Sequence, residues 1–203
     1  MKISRALPLI DLAALVCEAC LKNSINLVLS GGACVSIFTH NEYASYDLDF
    51  VLRSPVARRQ IRRTMADLGF LEDGRHFRHP DTPYIVEFLQ PYPTVGDEPV
   101  REIMEIRRGE MSLFLISPTD CVKDRLAAFY HWNDSPSLDQ AVMVCADNPV
   151  DLKEVRRWSM KEGMEDRYRK FRRALSAEKK SRLPHSHGTN RDRRLYPSMK
   201  RSK

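Results

Sequence analysis

The 203-residue sequence has no long apolar run: hydrophobic residues are 42% of it, but no stretch approaches the roughly 20 residues needed to cross a bilayer. Met1-Lys2-Ile3-Ser4-Arg5 is not followed by an uninterrupted apolar core before Asp11. A secretory leader is therefore not expected, and the chain reads as cytoplasmic with no membrane partner. Cysteine is sparse and odd in number, five in all, which argues against a disulfide framework and for reduced, buried thiols. Cys17 and Cys20 form a C-x-x-C, but no second pair or histidine cluster completes a zinc site, and their spacing places both on one helix face. Acidic residues are in the minority, 27 against 33 lysines and arginines, for a net charge of +6. That balance leans toward a polyanionic partner such as RNA or a nucleotide. Much of the excess lies after Arg167. No internal repeat is visible.

Periodicity divides the rest. Apolar residues recur at helical spacing over 8–22, 56–68, 118–132, 137–146, 151–162 and 164–180. Ser117-Pro118-Thr119-Asp120 is a strong helix start, with serine as cap, proline at the first position and an acid in the first turn. Short strands are expected at 25–29, 47–52, around Phe77, at 84–89 and at 111–116. Residues 181–203 are basic, punctuated by proline and almost free of aliphatic residues, so disorder is expected there.

The residues that carry chemistry are acids and glycines. Asp47-Leu48-Asp49-Phe50 alternates acid and apolar. Side chains two apart on a strand point the same way, which puts the two aspartates on one face roughly 6–7 Å apart. Without a cation such a pair repels itself and is costly to desolvate. Glu87 is the sole charge in Ile85-Val86-Glu87-Phe88-Leu89, and if its strand lies beside that of the aspartates three carboxylates converge. Hard oxygen donors of this number suit Mg2+ or Mn2+. Earlier in the chain, Ser30-Gly31-Gly32 follows a strand and opens a short helix, a turn whose amides, together with the Ser30 hydroxyl, can face phosphate. Each part alone has a bland reading: a Gly-Gly pair is usually only a turn, and Asp-x-Asp usually an exposed edge. Their order raises the joint reading above any part.

Leu29-Ser30-Gly31-Gly32-Ala33 and Ser45-Tyr46-Asp47-Leu48-Asp49-Phe50 together resemble the nucleotidyltransferase superfamily with the DNA polymerase beta-like fold. Within it the chain looks like the minimal bacterial branch that includes abortive-infection toxins of toxin–antitoxin pairs. The resemblance implies an α+β fold, a mixed β-sheet flanked by helices and followed by a helical C-terminal part. It places a catalytic core at 1–116, a helical subdomain at 117–180 and a tail at 181–203. It implies a metal-dependent enzyme that transfers NMP from an NTP to a hydroxyl, such as a tRNA end, with release of pyrophosphate, and that is neutralised by a cognate antitoxin. Asp47, Asp49 and Glu87 would hold metal, Ser30, Gly31, Gly32 and Lys123 would bind nucleotide, and Arg125 and Asp139 would complete the catalytic set. Arginine at 125 stands where the toxin branch has lysine, which limits it to clamping phosphate. The alternative is a catalytically inactive member of the fold that binds RNA or protein.

Three further features have structural and functional readings. Arg58, Arg59, Arg62 and Arg63 form a basic helix face. His76 and His79 flank a polar hairpin. His131-Trp132 is expected to be an aromatic anchor before it is a base-stacking platform.

Overall fold

The computed structural model describes residues 2–182 and, as backbone, residues 200–201. The chain runs α1 (Leu9–Lys22), β1 (Leu27–Ser30), α2 (Gly31–Phe38), β2 (Asp47–Leu52), α3 (Arg58–Asp67), β3 (Leu71–Asp73), β4 (His76–Arg78), β5 (Ile85–Leu89), β6 (Thr94–Val95), β7 (Glu98–Pro99), β8 (Ile103–Arg108), β9 (Met111–Ile116), α4 (Pro118–Trp132), α5 (Ser135–Asp147), α6 (Leu152–Lys161), α7 (Glu165–Ser181) and β10 (Lys200–Arg201). This is the expected α+β architecture.

Eight strands form one mixed sheet in the order β10-β8-β9-β1-β2-β5-β4-β3. The pairs β1–β9 and β2–β5 are parallel and the others antiparallel. Register and pleat together sort the side chains into two faces. Leu27 and Leu29, Leu48, Phe50 and Leu52, Val86, Phe77, Leu113 and Leu115, and Met104 and Ile106 lie on one face and are all buried. The helices α1 and α3 pack against each other, and α1 lies on β1, β8 and β9. The five cysteines are free and buried, as expected, and burial raises the Cys17 thiol to about 11 and the Cys20 thiol to about 12. Helix starts follow local chemistry. The Ser117 hydroxyl accepts from the Asp120 amide at 3.1 Å, and the Asp151 carboxylate accepts from the Lys153 and Glu154 amides at 3.0 and 3.1 Å.

The structure departs from the sequence reading at the sheet's margins. β8 is a full six-residue strand hidden in the sequence by Glu105, Arg107 and Arg108, although Met104 and Ile106 alternate inward. In the tail, expected to be disordered, Lys200 and Arg201 pair with Glu105 and Met104 of β8. The remainder of that expectation, residues 183–199 and 202–203, lies outside the described residues. The arginine face of α3 is half tied down: Arg58 and Arg62 both bond to Glu72, and the Arg58 guanidinium lies 4.7 Å from the Phe77 ring centroid. Among the described residues no helix is long and apolar enough to cross a membrane.

Candidate active site

The polar face of the sheet carries the site. Four adjacent strands each contribute one side chain to a lateral row: His76 from β4, Glu87 from β5, Asp49 from β2 and Ser30 from β1. Neighbouring strands are about 4.8 Å apart, so these groups are immediate neighbours. The next row holds Arg78, Ile85 and Asp47. Asp47 is exposed and Asp49 half-buried, while Leu48 and Phe50 between and beyond them are fully buried and anchor the strand.

At the end of β1 the chain turns directly into α2. Gly31 has φ +66°, and a Cβ there would lie 2.4 Å from Asp49 Oδ2. Only glycine permits this conformation and this approach together. A Cβ on Gly32 would lie 3.1 Å from Ser45 Oγ. The loop into β2 is laced to the helix. Ser45 N donates to Oγ of the fully buried Ser36 at 2.8 Å. Ser45 Oγ in turn donates to the Asp47 carbonyl at 3.1 Å and accepts from the Asp47 amide at 3.3 Å. Ser30 Oγ donates to the Asp49 carbonyl at 3.3 Å. The glycine turn and the acid strand are thereby one unit.

The electrostatics are undercompensated. Burial raises the Asp49 carboxyl from 3.8 to about 6, and the charges of Glu87 and Asp47 push it the same way. Arg125 opposes them, and Asp124 adds to the rise. Glu87 is itself engaged, with Arg75 Nε and His76 Nε2 each 3.3 Å from its carboxylate. Arg125 reaches this centre from α4. Its guanidinium bonds Asp124 Oδ2 through Nε at 3.0 Å and Nη2 at 2.5 Å, and Gln140 Oε1 through Nη1 at 3.4 Å.

The structure thus brings together Ser30, Gly31, Gly32, Asp47, Asp49, Glu87 and Arg125, and three expectations are corrected. Lys123 does not face the site. It is fully buried, with Nζ 3.1 Å from Asp120 Oδ1 and 3.5 Å from Glu154 Oε1, because residue 123 looks toward α6 on the helix whose residue 125 looks toward the acids. Asp139 lies exposed on α5, and its neighbour Gln140 is the residue turned to Arg125. Nor do Asp47, Asp49 and Glu87 form a three-acid ion cage. Among the described residues no three histidine, cysteine or acidic side chains are grouped to hold an ion, and Glu87 is held by Arg75 and His76 instead. Sequence reasoning missed Asp124, Gln140 and the direct role of Arg75 and His76 in holding Glu87. Asp124 had only its adjacency to Arg125 as a signal, and Gln140 had none.

No protein-family model matches the chain, and no curated protein matches it in sequence. Among solved structures, an antigenic nucleotidyltransferase-like protein from Paracoccidioides brasiliensis superposes with a TM-score of 0.53 at 14% identity, covering 71% of this chain and 78% of that one. The fold is nucleotidyltransferase-like. ANT(2″)-Ia in complex with adenylyl-2″-tobramycin is also similar, with a TM-score of 0.43 at 13% identity, covering 80% of this chain and 98% of that one.

A nucleotidyltransferase-like fold raises the question of a divalent cation. The donor chemistry of Asp47 and Asp49 fits Mg2+, which dehydrates reluctantly and is commonly held by one or two carboxylates together with substrate phosphates. The raised Asp49 carboxyl marks a place where added positive charge is favourable.

Proposed function

We propose that the protein transfers a nucleoside monophosphate from a nucleoside triphosphate to a hydroxyl group, with release of pyrophosphate. The observation that carries this reading is the row Glu87–Asp49–Ser30, with the Gly31 backbone pressed against the Asp49 carboxylate. An anion-binding turn and an acid pair set edge to edge suit a phosphate chain accompanied by cations.

Asp47 and Asp49 would hold Mg2+ or Mn2+ jointly with the triphosphate. The bound ion supplies charge neutralisation at the phosphate oxygens. The amides at the start of α2, Gly31 and Gly32, receive phosphate oxygens with the Ser30 hydroxyl beside them, and Arg125 clamps the chain from above. The acceptor oxygen bonds to the α-phosphorus, the bond to the α–β bridging oxygen breaks, and pyrophosphate departs with that electron pair. Glu87 takes the acceptor's proton. Arg75 and His76 are positioning residues that hold Glu87 turned toward their own side of the row, leaving the aspartates to the cation.

The acceptor we propose is an RNA end such as that of tRNA. The net charge of +6 supports a polyanion, and so do the exposed cations Lys170, Arg172, Arg173, Lys179 and Lys180 along α7. Residues 1–116 then form the catalytic core and 117–180 a helical part that presents Arg125. A toxin activity held in check by a cognate antitoxin in a bacterial cytoplasm follows from the same reading. The test is transfer of label from α-labelled triphosphates to bulk tRNA with magnesium, comparing the wild type with the double variant Asp47→Ala, Asp49→Ala. Labelling by the wild type alone is expected. Equal labelling by both proteins sinks the assignment, and RNA binding without any transfer leaves the protein a binding module.

A further inference from the structure

The face of the sheet that carries the acids does not end at Glu87. It continues through β4 to the edge strand β3, where register sets Asp73 level with His76 and Leu71 level with Arg78. The second row therefore runs Leu71, Arg78, Ile85, Asp47 across four strands. At about 4.8 Å per strand, the backbone of Arg78 lies roughly 10 Å from that of Asp47. This outer shelf is open among the described residues: the side chains of Arg75 and Arg78 are 76% and 53% exposed, and Leu71 is 71% exposed.

The two ends of the row suit different ligands. At the β1 end the glycine turn and the aspartates are given to the triphosphate and its cation. Glu87 lies on the far side of Asp49 from that turn, so a hydroxyl presented to Glu87 has its open approach over β5, β4 and β3. The chemistry of that approach is cationic. From Arg53 to His79 the sequence holds seven arginines against three acids, and no lysine. Guanidinium groups bind phosphate through paired donors. Arg75 already stands at the centre, with Nε 3.3 Å from the Glu87 carboxylate. Arg78 Nε donates to Asp73 Oδ2 at 2.8 Å, and both side chains are more than half exposed. An ion pair so open to water is worth little, so a phosphate can take this guanidinium at small cost. Leu71 puts apolar surface beside it, on which a ribose or base can rest.

We propose that the β3–β4 shelf is the acceptor site of this protein, and that Arg78 binds the phosphodiester backbone of an RNA strand whose terminal hydroxyl reaches Glu87. The inference rests on the nucleotidyl-transfer reading above. Backbone contacts position a nucleic acid without reading its sequence, so the shelf sets the approach of the RNA end and leaves the choice of sequence to other contacts. The two substrates then divide the sheet, with the triphosphate on β1 and β2 and the acceptor on β5, β4 and β3.

Arg78→Gln removes one exposed charge and leaves the core intact, which circular dichroism and thermal melting check. In transfer assays with α-labelled triphosphates, magnesium and bulk tRNA, the KM for tRNA is expected to rise roughly 10-fold in this variant. The kcat at saturating tRNA and the KM for the triphosphate are expected to stay at wild-type values. In filter binding over a salt series, the slope of log tRNA affinity against log salt should become shallower by about 0.7. Arg78→Lys keeps the charge and should restore that slope and most of the KM. An unchanged KM for tRNA in Arg78→Gln overturns the shelf and leaves nucleotidyl transfer standing. An equal rise in the KM for the triphosphate also overturns it, by placing Arg78 with the triphosphate. Transfer by the wild type to a protein or small-molecule hydroxyl but not to RNA overturns the shelf alone. Absence of transfer by the wild type to any acceptor overturns the activity itself, and the shelf with it.

Discussion

At the scale of single residues the site depends on close approach. Gly31 combines a left-handed φ with backbone pressed against Asp49 Oδ2. An alanine must move that carboxylate and also adopt a conformation costing about 1–2 kcal/mol. Gly31→Ala is expected to cut transfer by about two orders of magnitude, since displacement of a reacting geometry by an ångström is enough for that; single-turnover assays alongside circular dichroism check it. Asp49 is expected to show a trade between stability and activity. Its carboxyl ionises near 3.8 when unfolded and about 6 when folded, so the folded state binds more protons between those values and stability falls as pH rises through them. Asp49→Asn should therefore stabilise the metal-free protein at pH 7.5 by up to about 3 kcal/mol, read as a raised melting temperature. It should have little effect near pH 3.5 and should abolish transfer. A variant less stable than the wild type at pH 7.5 contradicts this. The aspartates, the glycines and Glu87 were legible in the sequence because alternation and turn chemistry are local. Asp124, Gln140, Arg75 and His76 were not, because their meaning lies in partners from other elements.

Among elements, α4 does two jobs on two sides, and the sequence does not say which residue serves which. Lys123 and Arg125 are two residues apart, and their side chains leave the helix in different directions. Lys123 sits at zero exposure between Asp120 and Glu154 and 5.9 Å from the Trp158 ring centroid. Lys123→Met leaves the buried Asp120 carboxylate without its cation, while Glu154 keeps Arg101 and Arg157. It is expected to cost about 3–5 kcal/mol in denaturant unfolding while leaving the KM for triphosphate unchanged; a raised KM with full stability would return Lys123 to the nucleotide. The β6–β7 hairpin is clasped to α6 through Glu98, which accepts from Arg157 Nη1 at 3.0 Å and Lys161 Nζ at 2.8 Å. Those hydrogen bonds, Arg157 first, hold the Glu98 carboxyl down at about 2. Its contribution to stability is present above about 4.5 and is lost as pH falls toward 2. Glu98→Gln should lower the melting temperature at pH 7 and make no difference at pH 2, in scans over that range. The long helices were legible from their apolar stripes and caps. β8 was not, because three charged residues mask its alternation, and β3, β6 and β7 are too short to carry any period.

For the whole molecule, charge is the property that bears on partners. RNA binding is expected to weaken as salt rises, since each neutralised phosphate contributes a slope of about −0.7 to −0.9 in log affinity against log salt. Lys170→Glu with Arg173→Glu should weaken tRNA binding, make that slope shallower by about two, and leave ATP affinity untouched; filter binding over a salt series measures it. Growth arrest on expression, absent in Asp47→Ala, is expected of a toxin. By itself the sequence determined the local units: which segments are helices, that Asp47 and Asp49 share a face, and that Ser30-Gly31-Gly32 makes a tight turn, all of which follow from spacing along the chain. Only the tertiary structure decided that β5 lies parallel to β2 with Glu87 level with Asp49, that Arg75 and His76 hold that third carboxylate, and that α4 turns Arg125 to Asp124 and Gln140 while burying Lys123 between Asp120 and Glu154. Those outcomes depend on strand register and helix phase, which are set by packing between elements far apart in the chain.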